Sequence, residues 1–148
     1  MASVVEIWRY PVKSMAGERL ESCVITDQGL EGDRRWAFID GSPNRSGKFL
    51  TIREHRDLLR YHARLVDGEL EVEGPDHNVI RGAEASLKRL RLESGRPLEV
   101  RDDAGHNYDD SHVLLINLAS IESLGLEAGM RLDRRRFRAN LYVDGIEP

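Results

Sequence analysis

Five short segments bring cations and hydrogen-bond donors to the ends of apolar runs, and together they could hold an oxyanion. Lys13 and Ser14 follow Tyr10-Pro11-Val12. A strand stopped by proline exposes its next residues on a turn, where an ammonium, a hydroxyl and turn amides can meet one phosphate. The bland reading of such a pair is solvated loop. Gly32-Asp33-Arg34-Arg35-Trp36 sets two guanidiniums beside a carboxylate able to orient one of them, which suits bidentate phosphate recognition. A structural Asp–Arg pair bracing a turn would read the same way. Thr51 and Arg53 share a face at period two. Asn117 and Ser120 fall at the start of a helical pattern, where free backbone amides favour anions. Arg138 and Asn140 alternate with Phe137 and Ala139, which puts them on one face of a strand. No residue is assigned as catalytic, and none as a metal ligand.

The reactive groups are few. Cys23 is the one cysteine, and it stands between Ser22 and Val24 with no adjacent His or Arg to stabilise a thiolate. It reads as an inert small hydrophobe within a strand. His55, His62, His77, His106 and His112 show no metal-site spacing. The acidic segment Asn107-Tyr108-Asp109-Asp110 reads as solvated, with a metal-attracting loop as the alternative. Arg134-Arg135-Arg136 reads as a solvated connection, and Arg138 as the arginine that points at a ligand.

The elements that must position these groups are mostly strands. Val4–Tyr10, Leu20–Thr26, Arg35–Ile39, Lys48–Ile52, Tyr61–Val66, Leu70–Glu73, Asn78–Ile80, Pro97–Val100 and Phe137–Val143 carry β-branched and aromatic residues between turn signals. Asp67-Gly68 marks a hairpin turn. Asp57–Arg60 reads as a short helical turn, and Gly82–Leu92 is ambiguous between helix and strand. Asn117 is placed as the N-cap of a helix over Leu118–Leu124 that Gly125 stops. Many short strands with one or two short helices predict a mainly β chain closed, or nearly closed, into a barrel.

The chain has 148 residues, 40% hydrophobic and 32% charged, with a net charge of −4. That fits one globular domain over residues 1–148. The negative balance and 6% aromatic content argue against a nucleic-acid binder. The longest apolar stretch, Val113–Ile121, is too short to span a bilayer, so no membrane partner is expected. A single cysteine and the lack of a secretory signal pattern predict a cytoplasmic protein.

The same residues carry a resemblance. Pro-Val-Lys-Ser at Pro11–Ser14, Gly-Leu-x-x-Asp-Arg at Gly29–Arg34 and Thr-x-Arg at Thr51–Arg53 resemble the MOSC family, which takes its name from the C-terminal domain of molybdenum-cofactor sulfurase. So do Leu-Ile-Asn-x-Ala-Ser at Leu115–Ser120 and Phe-Arg-x-Asn at Phe137–Asn140. The resemblance implies a β-barrel and a small-molecule partner, the molybdenum cofactor (molybdopterin). By motif, Lys13, Ser14 and Arg34 would hold it, with Arg138 and Asn140 as later contributors and Thr51, Arg53, Asn117 and Ser120 behind them. It further implies kinship to sulfur carriers and to molybdoenzymes that reduce N-hydroxylated compounds; pyridoxal phosphate binding is another term attached to the family. Redox members carry a cysteine beyond the Phe-Arg-x-Asn strand, so the expectation is a domain truncated ahead of that cysteine, without the family's C-terminal segment. Two readings follow: a cofactor-binding domain with a redox partner protein, or a non-catalytic barrel acting as an anion-binding or interaction subunit. The second would self-associate through an incomplete barrel edge.

Overall fold

The computed structural model describes residues 1–148. In chain order the elements are β1 (Ser3–Arg9), β2 (Glu18–Leu20), β3 (Ile25–Thr26), β4 (Gly29–Leu30), β5 (Trp36–Asp40) and β6 (Lys48–Phe49). A 3-10 turn over Arg56–Arg60 leads to β7 (His62–Val66), β8 (Glu69–Glu73), β9 (Val79–Arg81), α1 (Ala83–Ser94) and β10 (Leu98–Asp102). The chain closes with β11 (Leu115–Asn117), α2 (Leu118–Glu127), a second 3-10 turn over Arg134–Phe137, and β12 (Leu141–Asp144).

Two compact units share the chain. The first comprises Met1–Trp8, Arg19–Glu31 and Asp110–Pro148, and the second Arg9–Glu18 and Gly32–Asp109. In the first, the sheet order is β11-β12-β1-β2. β1 pairs antiparallel with β12, with a bulge between Val4 and Glu6, and β11 lies parallel to β12. Ile121, Ala139 and Tyr142 form its buried centre, with Trp8, Ile116 and Phe137 packed on them.

The second unit holds two antiparallel sheets, β10-β5-β6 and β7-β8-β9. Asp67 and Gly68 turn the β7–β8 hairpin with φ of 52° and 80°. Two successive positive φ values are what a two-residue hairpin needs, and this is why Asp-Gly was a readable signal. α1 packs against β9 and β10 and sends Leu87 and Leu90 into a core with Val12, Met15, Trp36, Phe38, Leu58, Tyr61 and Val72. Gly95 ends the helix in the left-handed region.

The chain is mainly β with minor α, but the predicted barrel does not form. None of the four sheets returns its last strand to its first. Closure needs long strands with a continuous stagger; β2, β3, β4 and β6 have only two or three residues each. Several strand expectations shorten for the same reason. β6 stops at Phe49 rather than Ile52, and Leu20–Thr26 splits into the end of β2 and β3, leaving Cys23 between them. The ambiguous Gly82–Leu92 segment resolves as helix. Gly125 does not stop α2. It lies buried within the helix, where an added Cβ would meet the Met130 carbonyl oxygen at 2.8 Å. No helix is long and apolar enough to cross a membrane.

Candidate functional site

The second unit builds its cationic corner by laying residues 10–13 beside 34–36. Arg34 N–H donates to the Tyr10 carbonyl (2.8 Å), Trp36 N–H to Pro11 (3.1 Å) and Lys13 N–H to Trp36 (2.8 Å). This parallel bridge at Val12 and Trp36 works because Val12 and Trp36 are both core residues. Asp33 is buried beneath it. One carboxylate oxygen accepts the Tyr10 N–H at 2.6 Å, and the other pairs with the Arg34 guanidinium. The guanidinium lies 5.3 Å from the Tyr10 ring centre and 5.6 Å from that of Tyr108. Carboxylate and rings together fix its plane, as bidentate recognition requires. The backbone at Arg34 is left-handed, with φ of 46°.

Lys13 is the second cation. Its side chain is 5% exposed, and Nζ donates to the Asn107 carbonyl (2.9 Å) and to Asp109 (2.8 Å) while lying 4.7 Å from the Phe49 ring centre. Ser14 follows in a turn at φ of 69°, closed by Met15 N–H on the Val12 carbonyl.

The 103–109 loop runs across both cations, which the sequence did not reveal. Asn107 is fully buried, donating through Nδ2 to the carbonyls of Arg35 (2.9 Å) and Asp103 (3.1 Å). Tyr108 donates its hydroxyl to the Asp33 carbonyl (3.0 Å). Burial first, and then the Asp33 charge, pushes its phenol up to about 12, with Arg34 opposing. Reading the segment as solvated therefore fails for Asn107 and Tyr108. The available signal was Asn-Tyr inside an acidic stretch, since a large aromatic in a charged run requires somewhere to pack. Arg35 turns away to a two-point pair with Asp102 over the Trp36 ring.

Thr51 and Arg53 do not share a strand face. β6 has already ended, and the Thr51 N–H and hydroxyl both donate to Glu54, at 3.0 and 2.6 Å. The Thr51 oxygen also accepts the Arg53 N–H at 3.3 Å, and the Arg53 side chain is exposed.

The other predicted residues belong to the first unit. Asn117 is the N-cap of α2 as expected, its Oδ1 accepting Ala119 N–H at 3.3 Å. Its Nδ2 donates to the carbonyls of Ile146 and Glu147. Ser120 is exposed in the first turn. Arg138 and Asn140 are not on a strand: Asp133 caps the 3-10 turn through Arg135 N–H, and Arg138 then takes φ of 53°. Asn140 is buried. Its Oδ1 accepts Leu114 N–H (3.1 Å) and its Nδ2 donates to the Trp8 carbonyl (3.2 Å). Cys23 is partly exposed, and no three His, Cys, Asp or Glu side chains are grouped to hold a metal ion.

Comparison with known proteins adds a family. The family described as the MOSC N-terminal beta barrel domain matches residues 1–112. The molybdenum cofactor sulfurase of Drosophila grimshawi is 25% identical over 178 residues, covering 91% of this chain and 23% of that protein. The molybdenum cofactor sulfurase of Caenorhabditis elegans is 24% identical over 179 residues, covering 99% and 24%. The chain thus spans about a quarter of the length of the curated relatives it matches. The expectation of a chain cut short ahead of the family's cysteine is overturned, because the matched span contains Cys23. That expectation was pinned to the Phe-Arg-x-Asn segment, which lies outside the matched residues.

Proposed function

We propose, for a chain that belongs to the MOSC N-terminal beta barrel domain family, that its second unit holds the phosphate end of a molybdenum cofactor or a similar phosphorylated ligand. The observation that carries this is the pairing of an almost buried ammonium, Lys13, with a ring-clamped guanidinium, Arg34, under one loop. A buried lysine is costly unless an anion or several acceptors meet it. Two of the three ammonium protons are engaged by Asn107 and Asp109. The donor set fits the anionic part of the cofactor: a point charge from Lys13, a planar fork from Arg34 and a hydroxyl from Ser14. When bound, the cofactor supplies redox and sulfur-transfer chemistry at its metal. The residues here bind and orient it.

Isothermal titration of the intact protein with a phosphorylated pterin tests the reading. Arg34→Ala should weaken binding about tenfold or more, the loss expected for a charge-assisted hydrogen bond. No heat of binding from the unaltered protein or from a variant with Asp109 neutralised would end it.

A second reading, an interaction subunit, is supported by β11. It is an end strand of its sheet, and Leu115 on it is 53% exposed.

A further inference from the structure

We infer that Asp109 is an internal occupant of the anion seat on Lys13, and that an external oxyanion binds by taking its place. This rests on the phosphate-holding reading above and adds its regulation. The ion pair is lopsided: the Lys13 side chain is 5% exposed, and that of Asp109 is 89% exposed. The buried ammonium carries the desolvation cost, while the carboxylate that offsets it keeps almost all of its own hydration. Here the cation is fixed in the protein while the anion reaches it from the water side.

The loop leaves Asp109 exposed beyond its two anchors. Asn107 and Tyr108 anchor it through the Arg35, Asp103 and Asp33 carbonyls, so the next residue can swing while they stay. Asp109 is held by its Lys13 contact at 2.8 Å. Ser14, adjacent to Lys13 in a left-handed turn, makes no hydrogen bond through its hydroxyl and can add a donor to the incoming group. The ligand class is a phosphate or phosphate monoester, one of whose oxygens takes the place of the single Asp109 oxygen on Lys13 Nζ.

The test titrates inorganic phosphate, and separately a phosphorylated pterin, into the intact protein, Asp109→Asn and Asp110→Asn. Asp109→Asn removes the competing charge but keeps an oxygen able to accept from Lys13 Nζ, and thermal unfolding of the ligand-free variant checks that the fold survives the loss of the ammonium's counter-charge. Asp110→Asn makes the same change in net charge one residue away. The expected result is binding to Asp109→Asn at least about fivefold tighter than to the unaltered protein, with Asp110→Asn close to unchanged. Equal tightening by both variants would reduce the effect to net charge and overturn the proposal. Binding by the unaltered protein that Asp109→Asn leaves equal or weaker would also overturn it, while the phosphate-holding reading stood. Binding of neither ligand to any of the three proteins would remove both.

Discussion

Asp33 carries more of the cationic corner than its place beside two arginines suggests. Its two carboxylate oxygens hold the Tyr10 N–H and the Arg34 guanidinium, and its carbonyl receives the Tyr108 hydroxyl. Tyr108 therefore sits where burial and a nearby negative charge both disfavour its phenolate, and its pKa rises from 10.0 to about 12. The sign follows. The neutral phenol's contribution to stability is fully present below about pH 10, the unfolded value, and is lost as pH rises towards 12. Thermal unfolding followed from pH 9 to 12 should show a falling melting temperature, and Tyr108→Phe should flatten that fall. An unchanged slope in the variant would remove Tyr108 from the account. At this scale the sequence was half legible. Lys13 and Arg34 could be picked out because Pro-Val-Lys-Ser and Gly-Asp-Arg-Arg are local patterns. Asn107, Tyr108 and Asp109 could not, because what makes them matter is a contact more than seventy residues away for Tyr108 and more than ninety for Asp109.

Among the elements, two local signals were read correctly and two others were not: Gly125 lies inside α2, and a 3-10 turn replaces the start of the last strand. Asp67-Gly68 and the Asn117 cap each depend on residues within one turn. The Phe137–Val143 strand forms only from Leu141 onward, because Asp133 offers a cap to Arg135 N–H, and Tyr142 donates its hydroxyl to the Arg134 carbonyl, which together favour a 3-10 turn over Arg134–Phe137. Phe137 and Ala139 were indeed apolar positions, but they pack from a turn rather than a strand face. Asn117 does two jobs at once, capping α2 through Oδ1 and tethering residues 146–147 through Nδ2. Asn117→Ala should lower the unfolding free energy by about 1–2 kcal/mol, in the range of lost N-caps. Asn117→Asp keeps the accepting oxygen and should recover most of the capping share while the tether stays broken. Urea denaturation of the two variants separates these parts; equal losses would mean that the cap contributes nothing.

At the scale of the molecule, the threading was the least readable feature. β1 pairs with β12 from opposite ends of the chain, Ser3 against Asp144, and periodicity along a sequence says nothing about which distant edges meet. The same gap explains why a family described as a beta barrel, and a run of short strands, suggested closure where the sheets stay open. An open sheet keeps two end strands, and in the first unit one of them is β11, flanked by the exposed Leu114 and bearing Leu115. Lysine on such a strand is a common block against pairing, because a charge must be desolvated for a second strand to dock. If β11 pairs with a second copy, light scattering should give a mass that rises with protein concentration. Leu115→Lys should weaken that association about tenfold, the equivalent of losing one leucine's burial. A mass that stays monomeric throughout, or an association that Leu115→Lys leaves unaltered, would exclude the strand edge as the contact and with it the observation that favours an interaction subunit.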